Sequence, residues 1–290
     1  VRGLRKLLEK VYRKVAFDIV KEHGEEVFPE PSSEAETKPS PTSAKNESIQ
    51  VTKQERSPMA VPPKVSVVIN EEQLRDYLGP PIYHKDRMYT NTMPAGVALG
   101  LGYLGNGSGS LMPIETTLMP GKGNLHLTGK LGDVIKESAS IALSWVKSHA
   151  YELGLTKEPG DTLLDHRDVH LHMPEGAIGK EGPSAGVAFA VSLISLLTDR
   201  SLPTKLAMTG EVSLRGMVLP VGGLKEKLLA AHRAGITTVI LPAHNRPSVE
   251  ADVPKSVLDD LEVHYVTNVW AALDVAFGHG PWSAQARVRS

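Results

Sequence analysis

Between residues 24 and 63 the chain turns to Pro, Ser, Thr, Glu and Lys, as in Pro31-Ser-Ser-Glu-Ala-Glu-Thr-Lys-Pro39-Ser-Pro41. So little apolar surface cannot offset the entropy lost on ordering, so the stretch reads as a flexible linker. It splits the 290 residues into a short charged segment and a long region that must hold the core. With 41% hydrophobic and 22% charged residues overall, the chain can bury one. Lysine and arginine (32) nearly balance aspartate and glutamate (33), so no overall field draws the molecule to nucleic acid or anionic lipid. The absence of cysteine removes disulfides, thiolate metal sites and cysteine nucleophiles together, and fits a reducing interior. No apolar run approaches the ~18 residues of a membrane-spanning helix. The first residue is Val1 rather than Met, so the chain is expected to be a piece of something longer, with its targeting signals elsewhere.

Four stretches are expected: a helix over 1–22, the linker over 23–63, a globular domain over 64–279 and a tail over 280–290. Leu4, Leu8, Val11, Val15 and Ile19 recur at helical spacing among charged residues, an amphipathic stripe that needs neighbours to cover it. The β-branched run 64–70 predicts a strand, and 71–78 a short helix stopped by Gly79-Pro80-Pro81. Residues 96–103 and 109–115 read as a hairpin around Gly105-Asn106-Gly107. A long core helix is expected over 132–153, with Gly154 as its C-terminal stop. Strands are then expected at 168–173, 205–209, 212–219, 237–241 and 263–266, and helices at 184–197 and 224–234. This alternation predicts an α+β fold, a mixed β-sheet with helices packed on it.

Three segments can carry chemistry. In Lys180-Glu-Gly-Pro-Ser184-Ala-Gly186 a serine stands where a turn gives way to an apolar helix. Backbone N–H groups at a helix start lack intrahelical partners and can receive an oxyanion. Gly182, Ala185 and Gly186 admit a substrate backbone, and Pro183 fixes the entry angle. The same position also suits a plain N-cap serine. In Asp168-Val-His170-Leu-His172, strand alternation puts both histidines on one face, as a base, as two metal ligands or as pocket lining. In Gly222-Gly223-Leu-Lys225-Glu226-Lys227-Leu-Leu-Ala-Ala231, Lys227 abuts the apolar stripe while Lys225 lies further round. A lysine base must be neutral, so burial has to lower its pKa from ~10.4. Two solvated lysines beside Glu226 are the alternative.

These segments together resemble the Lon protease family. The blocks that carry the resemblance are His170-Leu-His172-Met-Pro-Glu-Gly-Ala177, Glu181-Gly-Pro-Ser-Ala-Gly186, Ala207-Met-Thr-Gly-Glu-Val-Ser-Leu-Arg-Gly216 and Leu219-Pro-Val-Gly-Gly-Leu-Lys-Glu-Lys227. The resemblance implies the Lon proteolytic-domain fold, similar to domain 2 of ribosomal protein S5, preceded by the last helix of an AAA+ small α-domain. It implies a Ser–Lys dyad, with Ser184 as nucleophile and Lys227, not Lys225, as base. Thr209 falls on the threonine that bonds the lysine amine, and Glu211 on the acidic residue after it. Glu181 falls where the family most often has aspartate, and Gly102-Tyr103 where relatives often have Ala-Trp. His170 and His172 enter as supporting residues.

The activity implied is that of an ATP-dependent serine endopeptidase, endopeptidase La type, degrading unfolded, damaged or oxidised proteins. ATP and Mg would serve the full-length hexamer, and no G-x-x-x-x-G-K-[ST] phosphate loop occurs in these residues. Neither a metal nor a membrane or specific nucleic-acid partner is expected. A Lon-like domain acting only as a silent binding or scaffold module is the alternative. The stretch 142–149 and the Pro/Ser insertion resemble the peroxisomal branch, which implies the peroxisomal matrix, with the mitochondrial matrix as alternative. Ser290 would open a peroxisomal tripeptide if Arg-Leu or Lys-Leu followed.

Overall fold

A computed structural model describes residues 2–27, 65–80, 89, 91–104, 107–174 and 179–283. Most of the expected linker, the end of the expected tail and the Gly105-Asn106 turn lie outside the described residues. The chain divides into two compact units, 1–84 and 85–290.

In the first unit α1 (Arg2–Val27), kinked at His23, carries the expected stripe. Val11, Val15 and Ile19 are half-buried, whereas Leu4 and Leu8 are exposed. Lys10 and Lys14 donate to the carbonyls of Leu78 and Asp76, at 3.1 and 3.0 Å, tying α1 to α2 (Leu74–Leu78). The strand expected at 64–70 does not form over the described residues 65–70. A β-branched run needs a partner edge. Here the chain instead enters a turn in which Asn70 and Gln73 each accept the other's backbone N–H.

The second unit is built on a mixed sheet. β1 (Val97–Leu104) and β2 (Ser108–Pro120) form the expected hairpin, with Val97 opposite Glu115 and Tyr103 opposite Gly109. β3 (Leu125–Thr128) lies parallel to β4 (Arg167–His172), and β4 pairs antiparallel with β2. Beyond β1 comes parallel β5 (Leu206–Met208). The chain then leaves the sheet for a separate pair, β6 (Glu211–Val212) and β7 (Val218–Leu219), and returns as parallel strands β8 (Thr238–Pro242) and β9 (Glu262–Val266). The sheet order among the described residues is β3-β4-β2-β1-β5-β8-β9.

Helices cover both faces. α3 (Asp133–Ser148) packs against α4 (Gly186–Thr198), which is buried from Gly186 to Ser195. A helix apolar on every side must be enclosed, and α4 sits between the sheet, α3 and α8 (Val269–Phe277). A side chain at Gly100 of β1 would touch Ala188 of α4. Gly109, on the opposite face by strand alternation, lies against the backbone of α5 (Leu224–Arg233). Short α6 (Arg246–Asp252) and α7 (Lys255–Leu258) connect β8 to β9.

Three further expectations change. The helix expected over 132–153 ends at Ser148, because Ser148 Oγ and the His149 ring both bond the Trp145 carbonyl and turn the chain out. The strand expected over 212–219 folds back as β6 and β7. Gly216 supplies φ +76°, and Ser213 Oγ accepts the N–H groups of Arg215 and Met217. Trp282, placed in a tail, is 1% exposed and packs on Phe277, with the Arg200 guanidinium over both rings.

Candidate active site

Ser184 lies in the turn before α4, half-buried, behind Gly182 at φ +87°. It is not the N-cap: Ala185 holds that position, and no side chain caps the helix. The first N–H groups of α4 are occupied, Gly186 bonding the Pro183 carbonyl at 3.2 Å and Val187 the Gly210 carbonyl at 3.0 Å. The N–H groups of Ser184 and Ala185 have no acceptor among the described residues. The groups available to an oxyanion therefore stand earlier than the helical turn expected from sequence.

Lys227 projects from the buried face of α5, 2% exposed, while Lys225 is exposed. Burial holds its amine below the ordinary 10.5, at about 8. Its Nζ donates to Thr209 Oγ1 at 3.1 Å, and that hydroxyl donates to the Ser184 carbonyl at 3.1 Å. Thr209 directly follows β5 and is fully buried. Gly210 N–H also reaches the Ser184 carbonyl, at 2.8 Å. The structure thus brings Ser184, Thr209 and Lys227 together across one hydroxyl. Among the described residues no hydrogen bond joins Ser184 Oγ directly to Lys227 Nζ.

Of the other expected residues, Glu211 lies on β6, half-buried and without an ion pair among the described residues. The Glu181 carboxylate rests over Gly132, the residue before α3, where any side chain would displace it. The partial positive charge of that helix end suits it. His170 and His172 do share a face of β4, but their ring nitrogens meet Thr128 Oγ1, at 2.9 and 2.7 Å, rather than Ser184.

Sequence reading missed two features. Asp168 holds His126, whose Nε2 lies 2.8 Å from its carboxylate. That bond, with the N–H groups of Asn124 and Lys122, holds the Asp168 carboxyl well below the usual range. The alternation Leu125-His-Leu-Thr128 was the available signal for this edge strand. Lys180 is 3% exposed and donates from Nζ to the Gly129 carbonyl at 3.1 Å. No three metal-ligating side chains converge among the described residues.

Comparison with known proteins gives the class to which this fold and corner belong. Residues 68–279 match the Lon protease (S16) C-terminal proteolytic domain, a peptidase domain. The chain belongs to the Lon protease family. It is 42% identical over 285 residues to "Lon protease homolog 2, peroxisomal" of Xenopus laevis, covering 97% of this chain and 32% of that protein. The protein of the same name from Mus musculus is 44% identical over 238 residues, 82% of this chain and 27% of the relative. That from Oryza sativa subsp. indica is 47% identical over 214 residues, 74% and 24%. The chain therefore spans a third or less of the length of these relatives.

Proposed function

We propose that these residues form a serine endopeptidase centre in which Ser184 is the nucleophile and Lys227 its general base. One observation carries the reading: a buried lysine amine, its pKa lowered to about 8, lies one hydroxyl away from the serine's own carbonyl. Neutral Lys227 has two N–H groups and one lone pair. Donating one N–H to Thr209 orients the lone pair, which takes the Ser184 proton as Oγ attacks a peptide carbonyl. The N–H groups of Ser184 and Ala185 receive the oxyanion. The Lys227 ammonium then protonates the leaving amine, and water, activated by the same base, hydrolyses the acyl-enzyme.

In the complete protein we place this centre in a peroxisomal hexamer that uses ATP and Mg to feed it unfolded, damaged or oxidised chains. Residues 1–22 are assigned to the end of the AAA+ small α-domain and 64–279 to the proteolytic domain, with the S5-like fold. The peroxisomal assignment rests on the names of the relatives and the hexamer on the family. A serine-reactive phosphonate tests the site. It should label Ser184 in the wild-type chain and neither Ser184→Ala nor Lys227→Ala, while all three melt cooperatively. An unlabelled wild type would favour a silent binding domain.

A further inference from the structure

The turn that carries Ser184 is held from below by a second buried lysine. Lys180 N–H bonds the Lys130 carbonyl at 3.3 Å, and its own carbonyl accepts Gly132 N–H at 2.9 Å. This forms a parallel bridge between Leu131 and Lys180. Its side chain turns back to the Gly129 carbonyl. The platform it grips is an unusual piece of backbone: Gly129 and Lys130 both adopt positive φ, +117° and +56°. A side chain at Gly129 would strike the Met173 carbonyl at 2.1 Å, so the turn admits only glycine there. Lys130 is held in a left-handed conformation that costs energy and persists only where neighbours impose it. Two further contacts point the same way. Glu181 lies over Gly132, and Ser138 Oγ, from α3, donates to the Pro183 carbonyl at 3.1 Å.

We propose that Lys180 is a positioning residue for the nucleophile. Its ammonium, clamped on the Gly129 carbonyl, fixes the segment 180–183 against the 129–132 turn and so sets where Ser184 stands relative to Lys227. The proposal rests on Ser184 as nucleophile. An attacking atom displaced by about 1 Å loses up to about a hundredfold in rate, so a clamp just upstream of it bears on rate more than on binding.

The test is phosphonate inactivation of Lys180→Met, which keeps the unbranched stem but removes the donor. The expected result is an inactivation rate constant at least about tenfold lower, a largely unchanged inhibitor constant, and a pH limb still at the position set by Lys227. The amides of Gly132, Lys180 and Gly186, which are hydrogen-bonded in and beside the clamp, should exchange hydrogen faster than in the wild type, with protection of α4 beyond them retained. A Lys180→Met variant that labels at the wild-type rate overturns the proposal. Should that variant not fold, Lys180→Gln, which removes the ammonium but keeps a polar side chain, decides: slowed labelling supports the clamp and unchanged labelling overturns it. If the wild type itself does not label, the nucleophile assignment fails. The exchange measurement then judges the clamp alone, and unchanged exchange at Gly132, Lys180 and Gly186 overturns it.

Discussion

Lys227 and the histidines of β4 both present nitrogen bases within the 85–290 unit, and their surroundings treat them in opposite ways. The ring nitrogens of His170 and His172 meet one hydroxyl, Thr128 Oγ1, and His126 meets Asp168. These bonds fasten edge strand β3 onto β4. Lys227 is withdrawn from water with one hydroxyl partner, which leaves a lone pair uncommitted once the amine is neutral. The difference teaches that a residue's ordinary pKa does not select the base. Histidine starts nearer neutrality, yet here burial moves lysine to about 8 and the fold sets it one hydroxyl from the Ser184 carbonyl.

The hardest test of that contrast is Lys227→Met. Cleavage of an unfolded protein should fall by ~10³ or more, because both the base and the later proton donor are gone. Stability should move the other way. Below pH about 8 the folded state holds a buried ammonium whose ordinary pKa is 10.5. The unfolded chain therefore binds more protons between those values, and wild-type stability rises with pH across that window. The Met variant should melt higher than the wild type at pH 7 and lose that rise. A variant that keeps cleavage would return the histidines to consideration.

The rate itself supplies the next test. If neutral Lys227 is required, the acylation rate climbs about tenfold per pH unit below pH about 8 and levels off above it. A limb near pH 6.5, the ordinary histidine range, would instead assign the base to β4. Thr209→Val sharpens the comparison further. Without the accepting hydroxyl the ammonium is harder to keep, so the limb should shift to lower pH. The plateau should drop about tenfold as the amine loses its orientation.

How much of this was legible in sequence follows the physics of each signal. The β1–β2 hairpin, α4 and α5 carry long or strongly patterned apolar runs, and the structure places them within a few residues of expectation. Lys227's burial was legible because Leu224, Leu228 and Ala231 mark the face beside it. Edge strand β3 escaped because four residues of alternation carry little signal, and with it went the partner of Asp168. The hairpin at 211–219 escaped because β-branched and apolar residues mask a turn set by Ser213 and Gly216. Lys180 was read only as part of a motif, since one lysine beside a glutamate gives no hint that its amine folds inward onto a carbonyl. Pairing Thr209 with Ser184 joins residues from separate elements, which no local pattern encodes.

The smallest expected effect bears on the other side of the comparison. His170→Gln keeps a polar side chain on β4 but removes the ring nitrogen that meets Thr128 Oγ1, and His172→Gln does the same at the neighbouring register position. If these rings only fasten β3, each variant should cleave within about twofold of wild type and keep its pH limb, since surface substitutions away from the reacting atoms are usually mild. Asp168→Asn completes the set. It removes the carboxylate that gathers His126 and the N–H groups of Asn124 and Lys122, so it should lower the melting temperature more than either histidine variant. That difference should vanish as pH falls below the carboxylate range, because the wild-type Asp168 contribution is present above its ordinary pKa of 3.8 and is lost as the folded group protonates. A loss of cleavage in His170→Gln without a change in melting would place β4 in contact with substrate, and the two regions would then be parts of one site.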